Sequence, residues 1–282
     1  MLALTLAAAV LIGVALGVLG GGGSILTVPI LVYLAGLDAK QAIAMSLFVV
    51  GVTSALGAIP HARAGRVRWR TGLLFGATAM AGAYGGGRLA AFIPGGWLLA
   101  GFGIMMVATA VAMLREPRRT PLDPHRELPV LLVVAEGVVV GAITGLVGAG
   151  GGFLVVPALV LLGGLPMAVA VGTSLVVIAM KSFAALAGYV STVHIDWRLA
   201  LAVTAAAAVG GLLGGRLTGR IPERLLRQGF GWFVVVMGTF VLTQQLPTAW
   251  WPLVSVVAVG APAAVVLRAR SRATLRQGRG RR

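Results

Sequence analysis

Gly20-Gly21-Gly22-Gly23-Ser24-Ile25-Leu26-Thr27-Val28-Pro29 returns in the second half of the chain as Gly148-Ala149-Gly150-Gly151-Gly152-Phe153-Leu154-Val155-Val156-Pro157. Without a gap the correspondence extends to Ser46 and Ser174, Ser54 and Ser182, Trp69 and Trp197, and Gly86-Gly87-Arg88 and Gly214-Gly215-Arg216. It continues to Pro94 and Pro222, and to Gly101-Phe102-Gly103 and Gly229-Phe230-Gly231. The pattern reads as one membrane unit written twice. Internal repeats with glycine-interrupted apolar segments at matching positions point to a secondary transporter whose site lies between its halves.

Composition fixes the environment of these repeats. Hydrophobic residues make up 59% and charged residues 11% of a 282-residue chain, more apolar surface than a soluble core of this size absorbs. A helix needs roughly 20 apolar residues to cross about 30 Å of hydrocarbon. Segments of that kind run from Gln41 to Pro60, Thr71 to Phe92, Trp97 to Leu114, Leu128 to Val147, Ala168 to Val190, Leu199 to Thr218, Gly229 to Leu246 and Trp250 to Leu267. The expected fold is an all-α polytopic membrane protein. Met1 to Leu19 has no basic n-region and belongs to the repeated pattern, so it reads as part of the first unit rather than as a cleaved signal. The chain has no cysteine, which excludes disulfides and thiolate metal sites. His61 and His194 lack companion ligands, so neither a metal nor another cofactor is expected.

The net charge of +16 would suggest nucleic acid in a soluble protein. Here the arginines sit in loops and in the tail from Arg268 to Arg282, where the positive-inside rule makes them cytoplasmic charge beside anionic lipid headgroups. No nucleic-acid partner is expected. The glycine clusters also fail as nucleotide motifs, because no Lys-Ser/Thr follows them.

Arginine bias orients the halves. Arg63, Arg66, Arg68 and Arg70 crowd one first-half loop, whereas its counterpart holds Arg198 opposed by Asp196. The next loop reverses the bias, with Arg216, Arg220, Arg224 and Arg227 against Arg88 alone. Equivalent loops with opposite bias face opposite sides of the membrane, so the two repeats are expected to be inverted. The reading divides the chain into a first membrane repeat at residues 1–114 and a polar, Pro-rich cytoplasmic linker at 115–127. A second repeat at 128–246, an additional C-terminal helix at 247–267 and a basic cytoplasmic tail at 268–282 complete it. Ser24 to Leu34 and Phe153 to Leu162 are too short to cross unaided. Each is half of a re-entrant hairpin or a short tilted span, giving three or five crossings per half.

Candidate site residues gather around the glycine clusters. Consecutive glycines followed by a proline break a helix near membrane depth. Such a break survives where protein or a water-filled cavity covers it, and the amides it exposes can hold an anion. Ser24 and Thr27 add hydroxyl donors in the first half. Ser46 and Ser174 lie at equivalent depths, as do Ser54 and Ser182, although small hydroxyls in membrane helices often bond only their own backbone. Gly82-x-x-x-Gly86 and Gly210-x-x-x-Gly214 are adequately read as helix packing on small residues. Lys181 differs in kind. It stands inside an apolar segment, where an ammonium must pair, reach water or lose its proton, and Lys40 is the chain's one other lysine. Glu136 is the single acid inside an expected span, either a partner for a cation such as Lys181 or a proton carrier.

Gly148-Ala149-Gly150-Gly151-Gly152-Phe153-Leu154-Val155-Val156-Pro157, then Gly172-Thr173-Ser174, resembles the sulfite exporter TauE/SafE family, also called the 4-toluene sulfonate uptake permeases. Gly20 to Pro29, Ser46 and His61-x-x-x-Gly65-x-Val67-x-Trp69 carry the same likeness in the first half. The resemblance implies a multi-pass carrier in a bacterial inner membrane that moves small sulfur-containing or organic anions such as sulfite and sulfonates and depends on the proton gradient. Its Gly-Pro motif maps to Gly20, Gly22, Gly23 and Pro29 and to Gly148, Gly150, Gly151, Gly152 and Pro157. With Ser24, Thr27, Ser46, Thr173, Ser174 and Lys181, these form the expected substrate-binding set, and Glu136 is the proton-coupling candidate. Ala149 in place of glycine, Arg68 opposite Asp196 and Val193 opposite Gly65 depart from the symmetric pattern. A carrier of another solute, such as an amino acid or a cation, is the alternative. A membrane enzyme finds no nucleophile-base pair, and a scaffold leaves the polar residues at lipid depth unexplained.

Overall fold

In hydrocarbon a backbone must satisfy its own hydrogen bonds, and each long apolar run among the described residues accordingly forms a helix; Trp250 to Leu267 and the tail lie outside them. The computed structural model describes residues 2–19, 24–114, 130–148, 155, 156, 159, 165–217 and 223–245. In chain order these hold α1 (Leu2–Leu19), α2 (Thr27–Tyr33), α3 (Ala39–Arg63), α4 (Trp69–Leu89) with a short 3-10 turn at Ala90–Phe92, and α5 (Gly95–Leu114). There follow α6 (Val130–Val147), α7 (Met167–Val190), α8 (Trp197–Leu217) and α9 (Glu223–Gln245). No strand occurs among the described residues. By length and composition α3, the Val169–Val190 stretch of α7 and the Trp197–Gly214 stretch of α8 suffice to cross a membrane. The 25 residues of α3 correspond to about 37 Å of helix.

Glycine ends several of these helices. Gly36, Gly65 and Gly148 have φ of 70°, 67° and 71°, the left-handed conformation that closes a helix C-terminus without a Cβ penalty. After α3, the Gly65 amide donates to the Ala62 carbonyl and the Arg66 amide to the His61 carbonyl. Proline acts at the other end. Pro29 lies in the first turn of the seven-residue α2, where its missing amide leaves no bond unmade.

The chain divides into two units, Met1–Leu98 with Leu122–Arg220 and Leu99–Pro121 with Ile221–Arg282, so each draws on both halves of the sequence. In the first, α3 and α7 pack antiparallel: a Cβ on Gly51 would lie 3.2 Å from the Phe183 ring, and one on Gly57 would lie 3.6 Å from Leu175. Beside this pair α4 runs parallel to α6, and α1 runs parallel to α8. Gly82 and Gly86 press on the Val138 and Ala142 carbonyls, while Gly210 and Gly214 press on those of Val10 and Val14. Any side chain at these four positions would collide with backbone. Such contacts are how helices associate where lipid removes the hydrophobic drive between them. Phe75, Ala79, Val133 and Val177 contribute to the buried apolar core.

The second unit pairs the greater part of α5 with α9. Gly103 meets Leu242, Gly238 meets Met106 and Gly231 meets Leu114, an antiparallel register. Outward positions throughout are large and apolar, including Leu11, Trp97, Ile104, Leu212 and Val236, each more than half exposed. That surface suits lipid rather than water.

Candidate functional site

Most of the buried polar residues of the first unit lie on α3, α6 and α7. Successive residues of a helix turn by about 100°. On α7 this directs Met180 toward Gly76 of α4 and Phe183 toward Gly51 of α3, and it leaves Lys181 facing α6. Lys181 is buried, with 1% of its surface exposed. Its Nζ donates to Thr144 Oγ1 at 3.0 Å, and the Thr144 hydroxyl in turn donates to the Val140 carbonyl at 2.7 Å. A lysine ammonium has three donors and no acceptor. No ion pair of Lys181 occurs among the described residues, so of its three donors Thr144 satisfies one and no described carboxylate offsets the charge. Glu136 is half-buried on the same helix as Thr144, about 12 Å before it along the axis.

One turn beyond Thr144, α6 stops at Gly148, whose amide donates to the Thr144 carbonyl at 2.9 Å. Ser46 of α3 donates its hydroxyl to the Gly148 carbonyl at 3.1 Å, both groups buried. A Cβ at Gly148 would strike Ile43. The start of the second glycine cluster is thus fixed by its own φ, by a neighbouring isoleucine and by a serine from α3. Nearby, Tyr189 of α7 donates to the Leu146 carbonyl at 2.7 Å.

The remaining hydroxyls divide into satisfied and orphaned groups. Ser174 donates to the Val171 carbonyl at 2.8 Å and Thr53 to the Val49 carbonyl at 2.7 Å, both within their own helix. Thr173 accepts the Arg68 amide at 3.0 Å, joining α7 to the loop before α4. Thr27, Ser54 and Ser182 are buried and have no hydrogen-bond partner among the described residues. An orphaned buried hydroxyl costs about 1–3 kcal/mol. Ser24 and Pro29 are also buried, beside Thr27.

Several residues singled out from the sequence are therefore placed, namely Ser24, Thr27, Pro29, Ser46, Glu136, Gly148, Thr173, Ser174 and Lys181. Gly20, Gly22, Gly23, Gly150, Gly151, Gly152 and Pro157 lie outside the described residues. The structure adds Thr144 and Tyr189, which sequence reasoning passed over. Thr144 has a retrospective signal: it stands one helical turn ahead of a glycine cluster, where the first half has Leu16.

Long apolar helices seamed by glycine, with a buried lysine among them, make the frame of a helical membrane protein. The chain belongs to the Sulfite exporter TauE/SafE family, which it matches over residues 5–241. A protein named probable membrane transporter protein in Xylella fastidiosa is 32% identical over 247 residues, covering 86% of this chain and 95% of that protein. A probable membrane transporter of Bacillus subtilis is 25% identical over 241 residues, 82% of this chain and 96% of its own. One from Methanocaldococcus jannaschii is 28% identical over 252 residues, 83% and 94%. No solved structure matches the chain.

Proposed function

We propose that this protein is a secondary carrier of small anions, sulfite and sulfonates foremost, built from two inverted repeats in a bacterial inner membrane. The observation that carries the anion reading is Lys181, buried and held by a hydroxyl with no acid beside it among the described residues. A substrate anion supplies the missing countercharge. In this reading the substrate lies near the midplane against the two glycine clusters, and Glu136 moves the coupled proton.

The packing supports inversion. Helices whose sequences correspond in the repeat run antiparallel, α3 to α7 and α5 to α9, as inverted repeats require. Partner exchange follows the same register: Gly82 and Gly86 rest on α6 as Gly210 and Gly214 rest on α1. With the tail and the arginine loops cytoplasmic, reporters near Arg66, Arg119, Arg224 and the C-terminus should read inside, and one at Ser191 to Asp196 should read outside. A reversed reading at Ser191 and Arg224 together would make the repeats parallel.

Uptake by proteoliposomes tests the function. Labelled sulfite and short sulfonates should accumulate, faster with an imposed pH gradient. Accumulation of amino acids or monovalent cations, with sulfite and sulfonates excluded, would replace the anion reading by a carrier of another solute.

A further inference from the structure

Ser54 and Ser182 occupy corresponding positions on the two antiparallel helices of the central seam. On α3, Ser54 lies midway between Gly51 and Gly57, and those two glycines touch Phe183 and Leu175 of α7. On α7, Ser182 lies two turns after Leu175 and next to Phe183, so it falls on the same seam. It is also the immediate neighbour of Lys181. Both serines are buried, at 0% and 1% exposure, and neither hydroxyl has a partner among the described residues.

This is unusual company for a serine inside a helix, where the hydroxyl ordinarily returns to a carbonyl in the preceding turn. Ser174, Thr53, Thr144 and Thr204 all do so in this protein. Two hydroxyls held off their own carbonyls, on facing helices, one of them the chain neighbour of a buried lysine, are placed to give hydrogen bonds to something else. A metal cation would use the oxygen lone pairs, but the neighbouring Lys181 opposes a cation. An anion accepts from all three groups.

We propose that Ser54 and Ser182 are the specificity-determining donors of the transport site. They bind two oxygens of one oxyanion head while Lys181 supplies the charge. The inference rests on the anion-carrier reading above. It makes the two serines favour an oxyanion head, which offers each of them its own oxygen, over a halide, which offers a single atom to share.

Equilibrium dialysis of labelled sulfite against the purified full chain, with chloride as competitor, tests it in Ser54→Ala, Ser182→Ala and the double variant. Each single replacement should weaken sulfite binding about tenfold, roughly 1.4 kcal/mol. The double replacement should weaken it further, with chloride competition unchanged and the melting temperature no lower, since no bond within the protein is lost. Wild-type sulfite affinity in the double variant would overturn the proposal and leave the anion reading intact, the hydroxyls then holding no more than water. Lost affinity with a lowered melting temperature would overturn it too, making the serines structural. Wild-type protein that binds neither sulfite nor methanesulfonate would remove the anion reading, and the proposal with it.

Discussion

The α6–α7 region and its counterpart in the first half, the α1–α3 region, share a scaffold and differ in charge. Lys181 and Thr144 in the later region correspond to Thr53 and Leu16 in the earlier one. Where Lys181 reaches across to a hydroxyl on another helix, Thr53 turns back to its own carbonyls, and Leu16 is buried as an ordinary apolar side chain. Corresponding glycines meanwhile make corresponding contacts in both regions. The difference teaches that packing treats corresponding helices alike, whereas the buried lysine and its hydroxyl partner belong to the later region alone. The site proposed above is to that extent lopsided.

The largest effect should separate the two regions most sharply. Lys181→Met should reduce sulfite uptake by roughly 10- to 100-fold, the value of a hydrogen bond to a charged group, whereas Thr53→Met should leave uptake within about twofold. Because no acid is left unpaired, Lys181→Met should keep its fold, as a thermal melt in detergent would show. Equal losses from both variants would make the site symmetric after all.

Packing predicts the opposite, an equal response from the two regions. Gly86→Val and Gly214→Val should each destabilise by about 3 kcal/mol, the upper part of the usual range for overpacking. Gly85→Val, whose Cβ would meet nothing within 4 Å, should be close to neutral. Unequal melting temperatures for the first two variants would break the correspondence. A smaller effect returns to asymmetry. Thr144→Val removes the Lys181 partner and should cost about 2 kcal/mol, while Leu16→Met should cost less than about 1.5 kcal/mol as a volume-conserving swap.

The smallest difference lies at a helix start. Asp196 accepts the Arg198 and Leu199 amides at 3.0 and 3.1 Å, capping α8, whereas Arg68 at the matching position before α4 offers no such acceptor. Asp196→Ala should therefore lower stability by about 1 kcal/mol, and Arg68→Ala should change it by less than about 0.5 kcal/mol. Comparing the two melts would show whether the cap matters in an exposed loop.

The helices were legible because hydrocarbon leaves a long apolar run little alternative. Their ends were less so. The run ending at Pro60 continues to Arg63, since a proline in the last turns removes few bonds, and α9 begins at Glu223, ahead of the apolar run that opens at Gly229. Lys181 was legible from its setting alone. Its partner was not, because Thr144 is 37 residues away and only the packing of α6 on α7 brings them together. Nor can a sequence say that Ser174 satisfies itself while Ser182 does not. Both are serines in apolar helices, and the outcome depends on side-chain rotamers set by neighbours on other helices.

The pairing of α1 with α8 has a consequence in time. Leu19, the last residue of α1, is made long before Trp197, the first of α8. At about 5–20 residues per second, ribosomal synthesis leaves the first helix without its mate for roughly 10 to 35 seconds. During that interval Gly13, which later lies against Ala207, has no helix to seat on. A truncation that removes α8 would leave α1 without the helix on which its glycine seam packs.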